Sequence, residues 1–299
     1  MDITLPYRLD RNCINDLMSN VINDNKLPKS EKITFDFSQL GFIEPAGITT
    51  LGNLFEWLLK MGTDTSIRIP EVFGLAKWCP IEYLDDSEFF LTYTGKKLKE
   101  SSRVRSTTIP LQKVTYENSH HWLSVSFIPW LAMCLDVKIS TLGNIEMCMG
   151  EIFNNIVDHS SENIGCIYAQ HFPSKNKVTI SIADFGIGIP ENIRRINPAA
   201  DDAAALEMAI EQGVSSRTTP RNMGAGLHTL ISNVVKGLNG TVNIHSGYGI
   251  LQTYLGDDKI ELSSKVSSGF YPGTFLDINI DTEILLEEDK YEEEEEFVW

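Results

Sequence analysis

Residues 141–160 carry acidic, amide and imidazole side chains at spacings that could bind a metal ion and activate water. At 100° per residue, one face of a helix over this stretch is polar and the opposite face is apolar. The polar face holds Glu151, Asn154, Asn155, Asp158 and His159. It has no lysine or arginine, and an acceptor-rich row of this kind suits a cation and its water. An ordinary amphipathic helix with a solvated face is the alternative.

A second group of candidate residues follows a predicted strand. Lys177 to Ala183 alternates as a β-strand does, and Asp184, Gly186 and Gly188 come directly after it. An acid at a strand end, followed by two glycines, lets the backbone approach a flat ligand closely. The same D-x-G-x-G pattern also occurs in ordinary turns.

A third group lies at the start of a later helix, predicted to end near Gly237. Gly224, Gly226 and Leu227 open this helix. Glycines at a helix N-terminus present free N–H groups and the positive end of the dipole, which favour an anion. A tight loop-to-helix turn is the alternative. Gly273-Thr274 then begins a predicted late strand.

The elements before these groups form a separate predicted domain. Ile33 to Phe37 and Thr65 to Ile69 read as short strands, and Ile48 to Met61 has apolar residues at helical spacing. We therefore predict a small α/β domain over 1–95. Residues 96–113 hold six basic residues against one acid, and they read as a solvated linker or as a basic contact patch.

Composition limits the function classes. The chain has 299 residues, of which 42% are apolar and 22% charged, so it is globular. Of its net charge of −16, nine negative charges lie between Asp281 and Trp299, and 282–299 is predicted to be an acidic tail. The sequence lacks the excess of basic residues that is typical of nucleic-acid-binding proteins. No apolar run or signal segment indicates a membrane or secretion, and five dispersed cysteines favour the cytoplasm.

The N-terminal block resembles STAS domains, the anti-anti-sigma-factor fold. The resemblance rests on the run from Ile33 to Ile48. STAS domains place an Asp-Ser-Ser-Gly-like turn at the helix start, where a serine is phosphorylated. Here the turn reads Glu44-Pro45-Ala46-Gly47, so both hydroxyl positions are lost. The resemblance implies a domain that docks or regulates without accepting phosphate at this turn. An unrelated strand–turn–helix is the alternative.

Residues 114–281 resemble the Bergerat, or GHKL, ATP-binding fold. Four motifs carry the resemblance in the family's order: an E-x-x-x-N-x-x-x-H box, a D-x-G-x-G box, a G-x-G-L box and a final Gly-Thr strand. They match Glu151, Asn155 and His159, then Asp184, Gly186 and Gly188, then Gly224, Gly226 and Leu227, and last Gly273-Thr274. The fold implied is an α/β sandwich with a mixed, largely antiparallel sheet covered by helices on one face.

The resemblance also implies roles for the matching residues. Asp184 would accept a hydrogen bond from the adenine amino group, with Thr274 helping through water. Asn155 would ligate Mg²⁺, His159 would contact the metal site, and Gly224 and Gly226 would give backbone N–H groups to phosphate. Glu151 stands where the family places a general base. Residues 191–223 would form a mobile ATP lid.

The E-x-x-x-N-x-x-x-H form of the first box most resembles that of the anti-sigma-factor kinases, and two functions are compatible with this resemblance. The first is an ATPase or protein Ser/Thr kinase of a bacterial regulatory pathway, with an unidentified protein partner. The second is a nucleotide-gated interaction module with slow or absent turnover, which needs only different affinities of ATP for two states. A histidine kinase is disfavoured, because none of the six histidines is followed by an acid.

Overall fold

The chain is a mixed α/β protein in a computed structural model that describes residues 1–23, 25–71, 73–74, 79–159, 165–211, 226–287 and 289. Side chains 116–117 and 155–159 are not described. The strands are β1 (Asp2–Thr4), β2 (Arg8–Leu9), β3 (Lys32–Asp36), β4 (Phe42–Ile43), β5 (Asp64–Arg68), β6 (Thr108–Val114), β7 (Gly165–Phe172), β8 (Lys177–Asp184), β9 (Thr241–Leu255) and β10 (Ile260–Asp281).

The α-helices connect and cover these strands. They are α1 (Ile14–Val21), α2 (Pro45–Lys60), α3 (Pro80–Asp86), α4 (Phe89–Thr94), α5 (Tyr116–Trp122), α6 (Ile128–Leu135), α7 (Gly143–His159), α8 (Ile189–Arg194), α9 (Asp202–Ala209) and α10 (Gly226–Ser232). Single turns of 3₁₀ or π-helix extend several of them. The predicted helices over 48–61 and 141–160 correspond to α2 and α7.

A five-stranded antiparallel sheet forms the centre of the molecule, in the order β6-β7-β8-β10-β9. Its central strands alternate between two buried faces. On one face, Ile180 and Ile182 of β8 and Ile278 of β10 pack against Ile152 and Phe153 of α7. We call this the helix face. The prediction of a largely antiparallel sheet is therefore confirmed.

The N-terminal residues form a small unit with two parallel sheets. β1-β3-β5 is a three-stranded sheet, and β2 pairs with β4 beside it. Phe35 of β3 and Phe55 of α2 are buried with their ring centroids 4.8 Å apart. The strands predicted at 33–37 and 65–69 lie within one residue of β3 and β5.

The second face of the central sheet is covered by this N-terminal unit. Helices α1 and α2 of this unit pack on the face opposite α7, α1 against β10 and α2 against β7 and β8. Cys166, Tyr168 and Phe275 share one buried cluster with the N-terminal residues. We call this the N-terminal face. The hydrophobic effect thus joins both parts of the chain, because each would otherwise expose apolar surface.

The predicted linker is an ordered part of the fold. Residues 108–113 belong to edge strand β6, and the loop before them is held by the buried Asp85. The carboxylate of Asp85 accepts hydrogen bonds from the N–H groups of Leu98 and Lys99, at 2.9 Å each. Lys99, Arg105 and Lys113 form ion pairs with Glu82, Asp86 and Glu56. These pairs place three of the six basic residues of this stretch beside acids, and the basic contact patch stays a prediction.

Within the described ranges, no single helix has the length and the hydrophobicity to cross a membrane. One consecutive pair, 118–135 and 139–154, meets both criteria only when its members are combined across a bend of 115°.

Candidate functional site

Three polar side chains line up across the end of the central sheet. Thr274 of β10 pairs with Asp184 of β8 on one side and with Ser246 of β9 on the other. Cross-strand partners point to the same face of a sheet, and Asp184 lies two residues beyond Ile182 of the helix face. All three side chains therefore face the layer that contains α7.

Asp184 is the most unusual ionisable group of this row. It is 6% exposed, and burial raises its pKa to about 7, although the N–H groups of Gly186 and Thr274 act in the opposite direction. Its Oδ1 accepts a hydrogen bond of 2.6 Å from the Gly186 N–H. No ion pair to this carboxylate exists among the residues that the structure describes. Buried carboxylates without a cation are costly and concentrate at functional sites.

The glycines beside Asp184 are required by the backbone geometry. Gly188 and Gly273 have φ of 84° and 81°, a region that favours glycine. A Cβ on Gly273 would lie 2.3 Å from the Asp184 carbonyl oxygen, and one on Gly188 would lie 2.9 Å from Ser246 Oγ. Gly186 is buried between them. The D-x-G-x-G turn and the Gly-Thr strand, far apart in sequence, therefore pack directly against each other.

Helix α7 carries Glu151, Asn155 and His159. Glu151 is exposed, which leaves its carboxylate open to water and ligand. Asn155 and His159 lie in the last turns of α7, and their side chains are outside the described part. His120 of α5 packs beside this helix, with Nε2 3.3 Å from Asn154 Oδ1. Among the described residues no group of three or more His, Cys, Asp or Glu forms a metal site, so the predicted magnesium ligand Asn155 stays a prediction.

The third motif is described only in part. Gly224 lies outside the described residues, Gly226 begins α10, and Leu227 packs against the core of the helix face. The helix start predicted near Gly224 thus corresponds to α10. The anion site predicted there stays a prediction.

The first part of the predicted lid is packed against the body. Ala205 and Leu206 of α9 are completely buried, and α9 packs against β9. Asp202 accepts a hydrogen bond from Arg194 and one of 2.6 Å from the Tyr248 N–H, which ties α8 and α9 to β9. Residues 212–223 of the predicted lid lie outside the described part.

A cavity of about 360 Å³ borders Gly273. Its wall includes Ile187, Arg194, Asp202, Tyr248 and Phe270, together with Lys26 from the N-terminal unit. The Asp184 carboxylate does not line it, and its buried acid Asp202 is neutralised by Arg194. We therefore locate the candidate site at the Asp184 row.

Sequence reasoning missed three residues near the site. Ser246 has no motif around it, and only its ladder position beside Thr274 reveals it. Trp57 of α2 packs edge-on against Phe185, with ring centroids 5.6 Å apart, from the N-terminal face. His120 lies on α5, and helix α6 separates it from α7 in the sequence. All three come from distant parts of the chain, so no local pattern could have placed them.

No protein-family model matches the chain. No curated protein sequence matches it either.

Proposed function

We propose that this chain is a cytoplasmic Mg-ATP-binding protein of the GHKL type with a STAS-like N-terminal domain. In this proposal it is an ATPase or protein Ser/Thr kinase of the anti-sigma-factor type, with a protein partner. The cytoplasmic location is supported by the five cysteines, all of them described and all free thiols.

The observation that carries the proposal is the carboxylate of Asp184. It is buried at a strand end, its pKa is raised to about 7 by burial, and backbone N–H groups act on it, with no cation beside it among the described residues. A carboxylate in this state gains a partner when an amino group of a flat base is placed against it, and such charge-assisted hydrogen bonds are strong. The adjacent glycines and Thr274 fit a ligand that lies close to the backbone.

The remaining roles are assigned within the proposal. Asn155 would hold Mg²⁺, which supplies charge neutralisation at the phosphates. Glu151, which is exposed on α7, would polarise an attacking water or hydroxyl. Gly224 and Gly226 would donate backbone N–H groups to a phosphate at the start of α10.

Calorimetric titration with Mg-ATP and Mg-ITP tests the binding step. ITP carries a carbonyl oxygen in place of the adenine amino group, so the group that would face Asp184 accepts instead of donating, and its N1–H donor lies one ring position away. We expect the wild type to prefer ATP, and Asp184→Asn to lose about 1.5–3 kcal/mol of ATP affinity and most of the preference. The matched control is Asp277→Asn, because Asp277 is also a buried acid and lies on the opposite face of the same sheet. Equal ATP binding by Asp184→Asn and wild type would reject the assignment.

Turnover is tested separately with Glu151→Gln. A positioned general base contributes about 10²–10⁴-fold, so phosphate release should fall by that factor while ATP binding is kept. Because Glu151 is exposed, the substitution should leave stability nearly unchanged. Unchanged phosphate release would remove Glu151 from the mechanism.

The nucleotide-gated module is the second candidate, and one contact favours it. Trp57 of α2 touches Phe185, the residue that follows Asp184. A ligand that orders the turn around Phe185 would therefore also affect α2 of the N-terminal unit through this contact. Under this candidate, a non-hydrolysable ATP analogue increases amide protection in α2 and the wild type shows no turnover. Turnover without any change in α2 would exclude it.

A further inference from the structure

We propose that Ser246 is a positioning residue that sets the nucleobase preference of the Asp184 site. The inference rests on the proposed function, since it deepens the role given there to Asp184. Ser246 lies in β9, at the far end of the row that includes Thr274 and Asp184.

The Ser246 hydroxyl joins two backbone segments from different parts of the chain. It is completely buried, its Oγ accepts a hydrogen bond of 2.9 Å from the Ile189 N–H, and it donates one of 2.5 Å to the Gly273 carbonyl oxygen. A hydroxyl has one proton and can serve as donor and acceptor at once. We call Ser246, Ile189 and Gly273 the clasp.

The clasp encloses the turn that holds the Asp184 carboxylate. The turn runs from Asp184 to Ile189, and its far end is fixed by Ser246. Its near end packs against Gly273, where an added Cβ would lie 2.3 Å from the Asp184 carbonyl oxygen and 2.6 Å from the Gly186 nitrogen. The same Gly186 N–H donates to Asp184 Oδ1 at 2.6 Å. Loss of the clasp should therefore make the Gly186 N–H, which orients the Asp184 carboxylate, more mobile.

The effect should be specific for the base and not for the phosphates. Asp184 is the residue that the proposal sets against the adenine amino group, whereas the anion site at α10 lies on another element. A hydrogen bond weakens steeply when its donor–H···acceptor angle falls below about 120°. A displaced carboxylate thus weakens ATP binding while leaving ITP binding nearly unchanged.

The experiment compares Ser246→Ala, Ser246→Thr and the control Ser181→Ala by calorimetry with Mg-ATP and Mg-ITP. Ser181 is also completely buried in the sheet, but its hydroxyl donates to Asp277 Oδ1 at 2.8 Å on the N-terminal face. Ser246→Ala loses two hydrogen bonds of a buried hydroxyl and Ser181→Ala loses one, so both should show small decreases in Tm, the larger in Ser246→Ala. We expect ATP affinity to fall about fivefold to tenfold in Ser246→Ala alone, with ITP affinity changed less than twofold. Ser246→Thr, which keeps the hydroxyl, should restore the preference for ATP.

Each outcome has a distinct meaning. Retention of the ATP preference in Ser246→Ala, or an equal loss for ATP and ITP, would overturn the role of Ser246 and leave the proposed function intact. An equal effect in Ser181→Ala would also overturn it, since the loss would then be general destabilisation. Failure of the wild type to bind ATP would reject the proposed function itself.

Discussion

Single residues of this protein carry large electrostatic costs, and Asp184 is the clearest case. Its pKa of about 7 exceeds the ordinary value of 3.8 because burial penalises the charged form. The folded state therefore binds a proton more tightly than the unfolded state between about pH 4 and pH 7. From the sign of the linkage, this residue's contribution to stability falls as the pH rises through that window.

Asp184→Asn should raise stability at pH 8. The amide has nearly the same shape and carries no charge, so we expect a gain of roughly 1–3 kcal/mol, partly offset by a weaker hydrogen bond from Gly186. Urea unfolding at pH 8 and pH 5 checks this, and the gain should shrink at the lower pH. A destabilised variant at pH 8 would contradict the cost assigned to the buried charge.

The same pKa predicts how ATP affinity depends on pH. If only the ionised Asp184 accepts from adenine, affinity should weaken about tenfold between pH 8 and pH 6. ITP controls for the titration of the phosphates themselves, since it carries the same triphosphate. Parallel pH profiles for ATP and ITP would show that Asp184 does not recognise the base.

His245 should have the opposite effect on the pH dependence of stability. Its Nδ1 lies 2.7 Å from Asn15 Oδ1. Burial is the main reason that its pKa is lowered to about 3, and the positive charges of Arg11 and Lys265 lower it further. The unfolded chain thus binds the extra proton between about pH 6.5 and pH 3, so this contribution to stability is lost as the pH falls. His245→Gln should flatten the loss of stability below pH 6.5 in urea unfolding. An unchanged slope would show that His245 does not contribute.

At the scale of an element, α2 is unusual because it is buried nearly all round. The three-stranded sheet covers one side, where Phe35 meets Phe55, and the central sheet covers the other, where Thr49 Oγ1 donates to the Ser181 carbonyl oxygen at 3.2 Å. Thr49 and Thr50 are completely buried, so no kinase reaches these hydroxyls in the folded chain. Phosphopeptide mapping after incubation with ATP should find no label there or at the Glu44–Gly47 turn.

Two glycines of α2 should respond differently to alanine. A Cβ on Gly47 would lie 2.6 Å from the Leu9 carbonyl oxygen, which is backbone and cannot move easily. A Cβ on Gly52 would lie 2.8 Å from a methyl carbon of Leu111, which can rotate away. Alanine also gains about 1 kcal/mol of helix propensity. We expect Gly47→Ala to lose about 2 kcal/mol or more and Gly52→Ala to stay within about 1 kcal/mol of wild type by urea unfolding. Equal losses would contradict the rigid contact assigned to Gly47.

At the scale of the whole molecule, the N-terminal unit and the central sheet share one buried cluster, so we expect them to unfold together. The N-terminal face buries Tyr168, Tyr271 and Phe275 completely, and polar contacts cross it as well. Arg11 Nη1 lies 3.2 Å from Asp277 Oδ2, a buried carboxylate that also accepts from Ser181. Removing 1–95 would expose this face to water, so we expect residues 96–299 alone to aggregate.

Arg11→Ala tests whether the two parts unfold together, without shortening the chain. The substitution leaves the Asp277 carboxylate buried without its cation, and we expect a loss of about 1–3 kcal/mol because Arg11 is itself one-third exposed. Circular dichroism and tryptophan fluorescence should follow one coincident transition in urea. Two separate transitions, only one of them shifted, would show that the two parts fold independently.

The sequence by itself determined the local elements. Periodicity located β3, α2, β5, α7 and β8 to within a few residues, because apolar spacing reflects which side of an element is buried. It also picked out Asp184 and its two glycines, since an acid and glycines at a strand end form a local pattern.

Only the tertiary structure decided what surrounds that pattern. Ser246, Gly273 and Trp57 meet the Asp184 turn through strand pairing and sheet packing over long sequence separations, which no local window contains. The burial that raises the pKa of Asp184 is likewise a property of the assembled sheet and helices. Helices α1 and α2 cover the second face because both parts of the chain have apolar surface there. The sequence pattern of each part alone was compatible with separate domains.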